Sequence, residues 1–276
     1  MSSIVAEAAA AAPVTAPPAR EILGMRVDAV TYQEATARII ALAAGGGQGV
    51  VCAANVHMVM AAHADPELRA AINRSVLVTP DGMPLVGMLR GLGVRNATRV
   101  YGPTLMLEVC AAAAARDVPI ALYGGEKATV ATLEAQLLSR YPGLRIVHRC
   151  CPPFRVATPQ EDQAQVDAIN ASGARLLFVA LGCPKQERWM DQHRDCLPLV
   201  QLGVGAAFAF HAGLVSQAPR WIQRLSLEWL YRLCMEPRRL WYRYASTIPA
   251  FIPRAALQVV RYRTGFGKAA PVEVSP

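Results

Sequence analysis

The chain has 276 residues, 53% of them apolar and 17% charged, with a formal net charge of +8. That composition builds a sizeable core without disulfides or metals, and it excludes disordered, collagen-like and coiled-coil chains. No run of about 20 uninterrupted apolar residues suited to a membrane span is present; the nearest, Leu197–Val215, is broken by Gly203, Gly205 and Gly213.

Residues 1–20 hold eight Ala and three Pro without periodicity and are expected to form a disordered tail, with order starting near Glu21. Ile22–Val30 reads as a first strand. Thr31-Tyr-Gln-Glu34 is a capping box opening a helix to about Ala44. Gly49–Ala54 is an apolar run of strand length, and Asp65-Pro66-Glu67 has the chemistry of a helix start. Further strands are expected at Ser75–Thr79, Pro119–Tyr123, Leu144–His148, Arg175–Leu181 and Leu199–Val204. Helices are expected from Gly125 to about Arg140, over Thr158–Ala171 and over Pro184–His193. Apolar strands alternating with helices imply an α/β fold, a Rossmann-like, mostly parallel sheet flanked by helices.

From Ala218 the pattern changes. Ile222, Leu225, Trp229 and Leu233 recur at helical spacing, and Pro237 is expected to start a second helix carrying Leu240, Tyr244 and Ile248. Residues 218–276 hold ten Arg and Lys against three Glu, a surplus of seven that leaves one net charge to residues 1–217. The expected organisation is therefore a tail (1–20), an α/β catalytic domain (21–217) and a basic amphipathic helical appendage (218–276). A basic end on a near-neutral body suggests an anionic lipid, a diphosphate or a nucleic acid as partner. Aromatic and basic residues interleaved on amphipathic helices are the signature of an interfacial segment, whereas no nucleic-acid-binding pattern accompanies them. The seven cysteines form no CxxC, and no basic stretch precedes an apolar block near the start, so reduced thiols in the cytoplasm are expected. The five scattered histidines offer no metal-ligand spacing.

In parallel sheets ligands bind beyond the carboxyl ends of the strands, which singles out the residues just after each strand. Asp81, in Thr79-Pro80-Asp81-Gly82, is a candidate general base on an incoming hydroxyl; the plainer reading is an Asx turn. The Asn55 amide suits a sugar hydroxyl or a base edge, or simply caps the helix that follows. Gly124 and Gly125 open a helix whose N–H groups suit a diphosphate. Gln186 and Glu187 sit where another helix begins; an acid there also suits the positive helix end. Cys183 lacks an identifiable histidine neighbour and reads as a packing residue. Arg232, Arg238, Arg239 and Arg243 are candidates for gripping phosphate; the alternative is a solvated face with a Glu228–Arg232 pair at i,i+4.

Taken together, Asn55-Val-His57, Pro80-Asp-Gly82, Arg99-Val-Tyr-Gly102, Leu122-Tyr-Gly-Gly125, Leu181-Gly-Cys-Pro-Lys-Gln-Glu-Arg-Trp189, Gly203-Val-Gly-Ala-Ala-Phe208, Ala218-Pro-Arg-Trp221, Leu227-Glu-Trp-Leu-Tyr-Arg-Leu233 and Glu236-Pro-Arg-Arg239 resemble the WecG/TagA/CpsF glycosyltransferase family over about residues 21–245. The resemblance implies an inverting, metal-independent hexosyltransferase, without cofactor. It would move a sugar from a UDP-sugar donor to a polyprenyl-diphosphate-linked saccharide in extracellular polysaccharide biosynthesis. Its place would be the inner face of the bacterial cell membrane, held peripherally by the appendage, and a homo-oligomer is compatible with it. By matched position, Asp81 would be the base, Asn55 and Gln186 would line the sugar-nucleotide site, and Arg232 and Arg239 would reach the leaving diphosphate. The chain departs from the usual family pattern at Ala53, Thr104 and Ala209, where Thr, Asp and Asp are common. The alternative is a non-catalytic partner subunit that docks and enhances another membrane-associated transferase.

Overall fold

The computed structural model describes residues 16–216, 218–219, 222 and 228–265. The chain opens with an antiparallel hairpin, β1 (Ala19–Ile22) and β2 (Met25–Asp28), and then α1 (Tyr32–Ala44). Next come β3 (Gly49–Ala54), α2 (Val56–Ala64), α3 (Pro66–Asn73), β4 (Leu77–Pro80), α4 (Met83–Gly91) and α5 (Gly102–Ala115). The second half has β5 (Ile120–Gly124), α6 (Lys127–Arg140), β6 (Ile146–Cys150), α7 (Pro159–Ala171), β7 (Leu176–Ala180), α8 (Lys185–Gln192), β8 (Val200–Gly203) and α9 (Ala207–His211). Two helices, α10 (Glu228–Met235) and α11 (Pro237–Thr264), complete the described chain.

Strands β3 to β8 form one six-stranded sheet, all parallel, in the order β4-β3-β8-β7-β5-β6. Alternate residues face opposite layers. Val50, Cys52 and Ala54 of β3 join a core with Met58, Leu68, Leu85 and Met190 of α2, α3, α4 and α8. Val51 joins the opposite core, with Ile39, Leu105, Leu133 and Phe208 of α1, α5, α6 and α9. Such burial on both faces explains why these strands read as continuous apolar runs. From β3 the chain winds outward to β4; later it enters the other half at β5, passes out to the edge strand β6 and returns through β7 to β8, which meets β3. Helix α2 after β3 and α9 after β8 lie on opposite faces, and where such connections diverge an open α/β sheet leaves a crevice.

The capping boxes at Thr31 and Thr158 and the Asp65 cap form as expected. The main-sheet strands lie within two residues of their expected bounds. The expected single strand over Ile22–Val30 is corrected. Leu23 (φ 52°) and Gly24 (φ 89°) take left-handed conformations, which make a two-residue hairpin turn. Order therefore includes Ala19, inside the segment read as tail, while residues 1–15 lie outside the described residues. The hairpin is pinned by a buried network: Asp28 accepts hydrogen bonds from Arg26 at 3.0 Å and from the Val78 backbone N–H at 2.7 Å. Helices α4 and α5 add to the expected elements. Both open at glycine or beside it, with proline at the first turn and no side-chain cap, so they lack the usual start signal.

The helix at Pro237 runs well past Ile248, to Thr264, and carries Pro249 and Pro253 inside it. Its Phe251 and Ala255 are buried in the same core as α2 and α4. Gln258 ties it to the hairpin: its amide donates to the Glu21 carbonyl at 2.7 Å and its carbonyl oxygen accepts from the Leu23 N–H at 3.1 Å.

Candidate active site

Because the six strands are parallel, their carboxyl ends share one edge. In sheet order that edge presents Asp81 after β4, Asn55 after β3, Gly205 after β8, Gly182 after β7 and Gly124 at the end of β5. At about 4.8 Å between strands the row is about 19 Å long. Several helices begin along it. Asn55 caps α2, its side-chain oxygen accepting from the Met58 N–H at 3.2 Å. Helices α4, α5, α6, α8 and α9 have no side-chain cap. Their first-turn N–H groups thus give this edge a positive partial charge.

Beside Asp81 and Asn55 lies a cleft of about 310 Å³. The core contributes His57, Arg99 and Tyr101 to its lining, and the C-terminal helices contribute Glu228, Trp229, Tyr244 and Phe251. Trp229 and Tyr244 meet edge to face with ring centroids 6.0 Å apart. The cleft is therefore charged on one side and aromatic and aliphatic on the other.

Arg99 organises the charged side. Its Nε–H donates to the Asp81 backbone carbonyl at 2.5 Å, and its Nη2 donates to Glu228 Oε2 at 2.8 Å. Nη2 also lies 3.8 Å from Asp81 Oδ1. The guanidinium sits 4.3 Å from the Tyr101 ring centre, a cation–π contact. The Tyr101 N–H donates to the Tyr32 hydroxyl at 2.9 Å, and burial pushes the Tyr32 phenol above its ordinary value. Burial also pulls on the Arg99 guanidinium, downward, but the charges of Asp81 and Glu228 outweigh it and hold Arg99 above its usual value.

The other expected site residues lie elsewhere along the edge. Gln186 and Glu187 are buried, 4% and 2% exposed. Gln186 donates to Glu187 Oε1 at 2.8 Å and accepts from the Gly182 N–H at 3.2 Å. A side chain on Gly203 would come within 2.9 Å of the Gln186 amide nitrogen. Gln186 thus braces the ends of β7 and β8 from beneath. Gly124 (φ 110°) and Gly125 (φ 75°) take left-handed conformations. A Cβ on Gly124 would meet the Ala180 carbonyl oxygen at 2.6 Å, so only glycine fits where β5 and β7 end together.

Asp81 and Asn55 are therefore brought into one cleft, while Gly124, Gly125, Gln186 and Glu187 lie outside its lining. Arg232 and Arg239 fall on α10 and α11, and their side chains, like that of Arg243, lie outside the described residues. Glu228, which the alternative reading placed on a solvated face, is 9% exposed and bonded to Arg99. Arg99 and Glu228 stand in the motifs quoted above, but their pairing spans 129 positions and no local spacing signals it. Among the described residues no cluster of three His, Cys, Asp or Glu side chains could hold a metal ion, and no helix is long and apolar enough to cross a membrane.

Residues 20–265 match the model of the glycosyl transferase WecG/TagA/CpsF family. The match runs across the α/β core and both C-terminal helices, nearly the whole chain, and the chain belongs to that family.

Proposed function

We propose, with membership of this glycosyltransferase family as the premise, that the chain is an inverting, metal-independent hexosyltransferase. It moves a sugar from a UDP-sugar to a polyprenyl-diphosphate-linked saccharide, at the inner face of the bacterial cell membrane, for extracellular polysaccharide. The observation that carries this reading is the setting of Asp81. It follows β4 in a cleft whose opposite wall, beyond Glu228, is mostly aromatic and aliphatic, with Trp229 of α10 and Tyr244, Ile248, Phe251 and Ile252 of α11. An acceptor with a sugar hydroxyl at one end and a hydrocarbon chain at the other matches both sides.

In this scheme the Asp81 carboxylate accepts the proton of the acceptor hydroxyl. The hydroxyl oxygen attacks the anomeric carbon on the face opposite UDP and forms the new C–O bond. The bond from that carbon to the β-phosphate oxygen breaks, UDP leaves with its electron pair, and the anomeric centre is inverted. Negative charge grows on the departing diphosphate. The uncapped helix openings along the sheet edge supply N–H donors for it, and the backbone at Gly124 and Gly125, at the far end of the row, frames the nucleotide. Arg232 and Arg239 add charge from the appendage; one such donor is worth roughly 3–4 kcal/mol of barrier. Asn55 frames the nucleotide sugar directly, and Gln186 and Glu187 do so by bracing the strand ends.

The test is a transfer assay on the full chain in vesicles, with a panel of UDP-sugars, a polyprenyl-diphosphate-linked oligosaccharide and EDTA throughout. Transfer from one donor with inversion, insensitive to EDTA and reduced about 100- to 10,000-fold by Asp81→Asn, is expected. Full activity in Asp81→Asn removes Asp81 as the base, and loss of transfer on adding EDTA removes metal independence. UDP binding with no transfer from any donor favours the partner-subunit reading instead.

A further inference from the structure

The Arg99 guanidinium is shared by two acids from two parts of the fold. Asp81 follows β4 in the core, Glu228 opens α10 in the C-terminal segment, and Arg99 lies between α4 and α5. All three side chains are mostly withdrawn from water, at 19% exposure for Arg99, 16% for Asp81 and 12% for Glu228. In such a setting a charge-assisted hydrogen bond is strong and its geometry matters. The shared nitrogen is unevenly divided: Nη2 is 2.8 Å from Glu228 Oε2 and 3.8 Å from Asp81 Oδ1. Nε is committed to the Asp81 main chain, and Tyr101 supports the guanidinium face. Glu228 therefore holds the better bond to the N–H group nearest the Asp81 carboxylate. With Glu228 gone, a shift of about 1 Å would close Arg99 onto Asp81 as a direct ion pair. That pair would lower the basicity of the carboxylate that must receive the acceptor's proton.

We propose that Glu228 is a positioning residue that holds the Arg99 guanidinium off the Asp81 carboxylate, so that Asp81 is competent as a base only while α10 and α11 are seated on the core. The inference rests on the reading of Asp81 as the base. It makes the C-terminal segment a requirement for the proton transfer as well as a wall of the cleft. A chain with this segment lifted off would keep only the sheet-edge part of its donor site, without the charge of Arg232 and Arg239, and lose the chemical step.

The experiment is the pH–rate profile of transfer by the full chain in vesicles, for wild type, Glu228→Gln and Glu228→Asp, using the UDP-sugar found active in the assay above. Glu228→Gln keeps the shape and removes the charge. It is expected to lower kcat on the order of 10- to 100-fold, the scale of an ångström-sized misplacement, with the donor KM within about twofold of wild type. The acid limb of its kcat profile should move to lower pH, because Asp81 loses an anionic neighbour and gains a closer cation. Glu228→Asp should restore the limb to its wild-type position. Wild-type kcat in Glu228→Gln overturns the proposal, and so does a loss of kcat with an unmoved acid limb, which marks Glu228 as structural only. An active Asp81→Asn variant would instead overturn the base assignment, whatever Glu228 does.

Discussion

Single residues along the sheet edge owe their character to what packs beside them, and His211 shows this in a titratable form. Its Nε2–H donates to the Pro103 carbonyl at 2.7 Å, joining α9 to the first turn of α5. Burial lowers its pKa below the ordinary value of 6.5, the Pro103 carbonyl pulling partly back. Folded chains thus take up the second ring proton only at a pH below that at which unfolded chains do. Within that window the unfolded state binds more protons, so stability rises with pH. The contribution is complete above about 6.5 and is lost as pH falls through the folded value. His148, lowered by burial and then by Arg149, acts in the same direction. The urea midpoint is expected to drop between about pH 7 and about pH 5, and His211→Gln to flatten that slope. An equally steep slope in the variant would assign the loss to other groups. At this scale the sequence was informative where a residue's role is local. Asn55 does cap α2, and Asp81 does stand at a strand end. It was silent where the role needs a distant partner, as with Arg99 and Glu228.

Elements carried by a strong local signal were legible: apolar runs for strands buried on both faces, and capping boxes at Thr31 and Thr158. Helices α4 and α5 were not, since their openings are left without side-chain caps beside the cleft and their starts therefore resemble loops. Helix α11 was legible from its start at Pro237 as far as Ile248, but not over Pro249 and Pro253, which local propensity disfavours inside a helix. Tertiary contacts hold it together through them. Phe251 and Ala255 are buried against the core, Gln258 clamps the hairpin, and Val259 and Tyr262 lie over Gly91 and Gly93, where a Cβ would come to 3.0 Å and 2.6 Å from them. Truncating a buried phenylalanine costs about 3–5 kcal/mol. Phe251→Ala is accordingly expected to undock α11 locally and cut hydrogen-exchange protection over residues 251–262 by at least about 100-fold. Protection in β3, β7 and β8 should stay at the wild-type level. Unchanged protection in α11 would mean that its anchoring lies in contacts other than Phe251.

Across the whole molecule, charge and apolar exposure are concentrated on the same part. The segment from 218 onward carries seven of the eight net positive charges. Helix α11 exposes Trp241 and Tyr242, at 65% and 81%, and farther along Ile252, Leu257 and Val260. Arg254, Arg261 and Arg263 are exposed on the same helix. An amphipathic basic helix with aromatic anchors binds an anionic bilayer surface without crossing it. Because Phe251 and Tyr244 line the cleft on this helix, a bilayer held there would bring a lipid-linked acceptor to the cleft's apolar wall. Each basic side chain near an anionic surface contributes about 1 kcal/mol. Replacing Arg254, Arg261 and Arg263 by Gln is therefore expected to weaken binding to phosphatidylglycerol-containing vesicles about 100-fold. Partitioning to purely zwitterionic vesicles, which depends on the apolar residues, should change little, and added salt should weaken wild-type binding toward the variant's level. Flotation at several salt concentrations measures all three. Binding that ignores both the substitutions and the salt would place the membrane contact away from α11, and tighter binding to DNA than to the anionic vesicles would favour a nucleic-acid partner for the basic end.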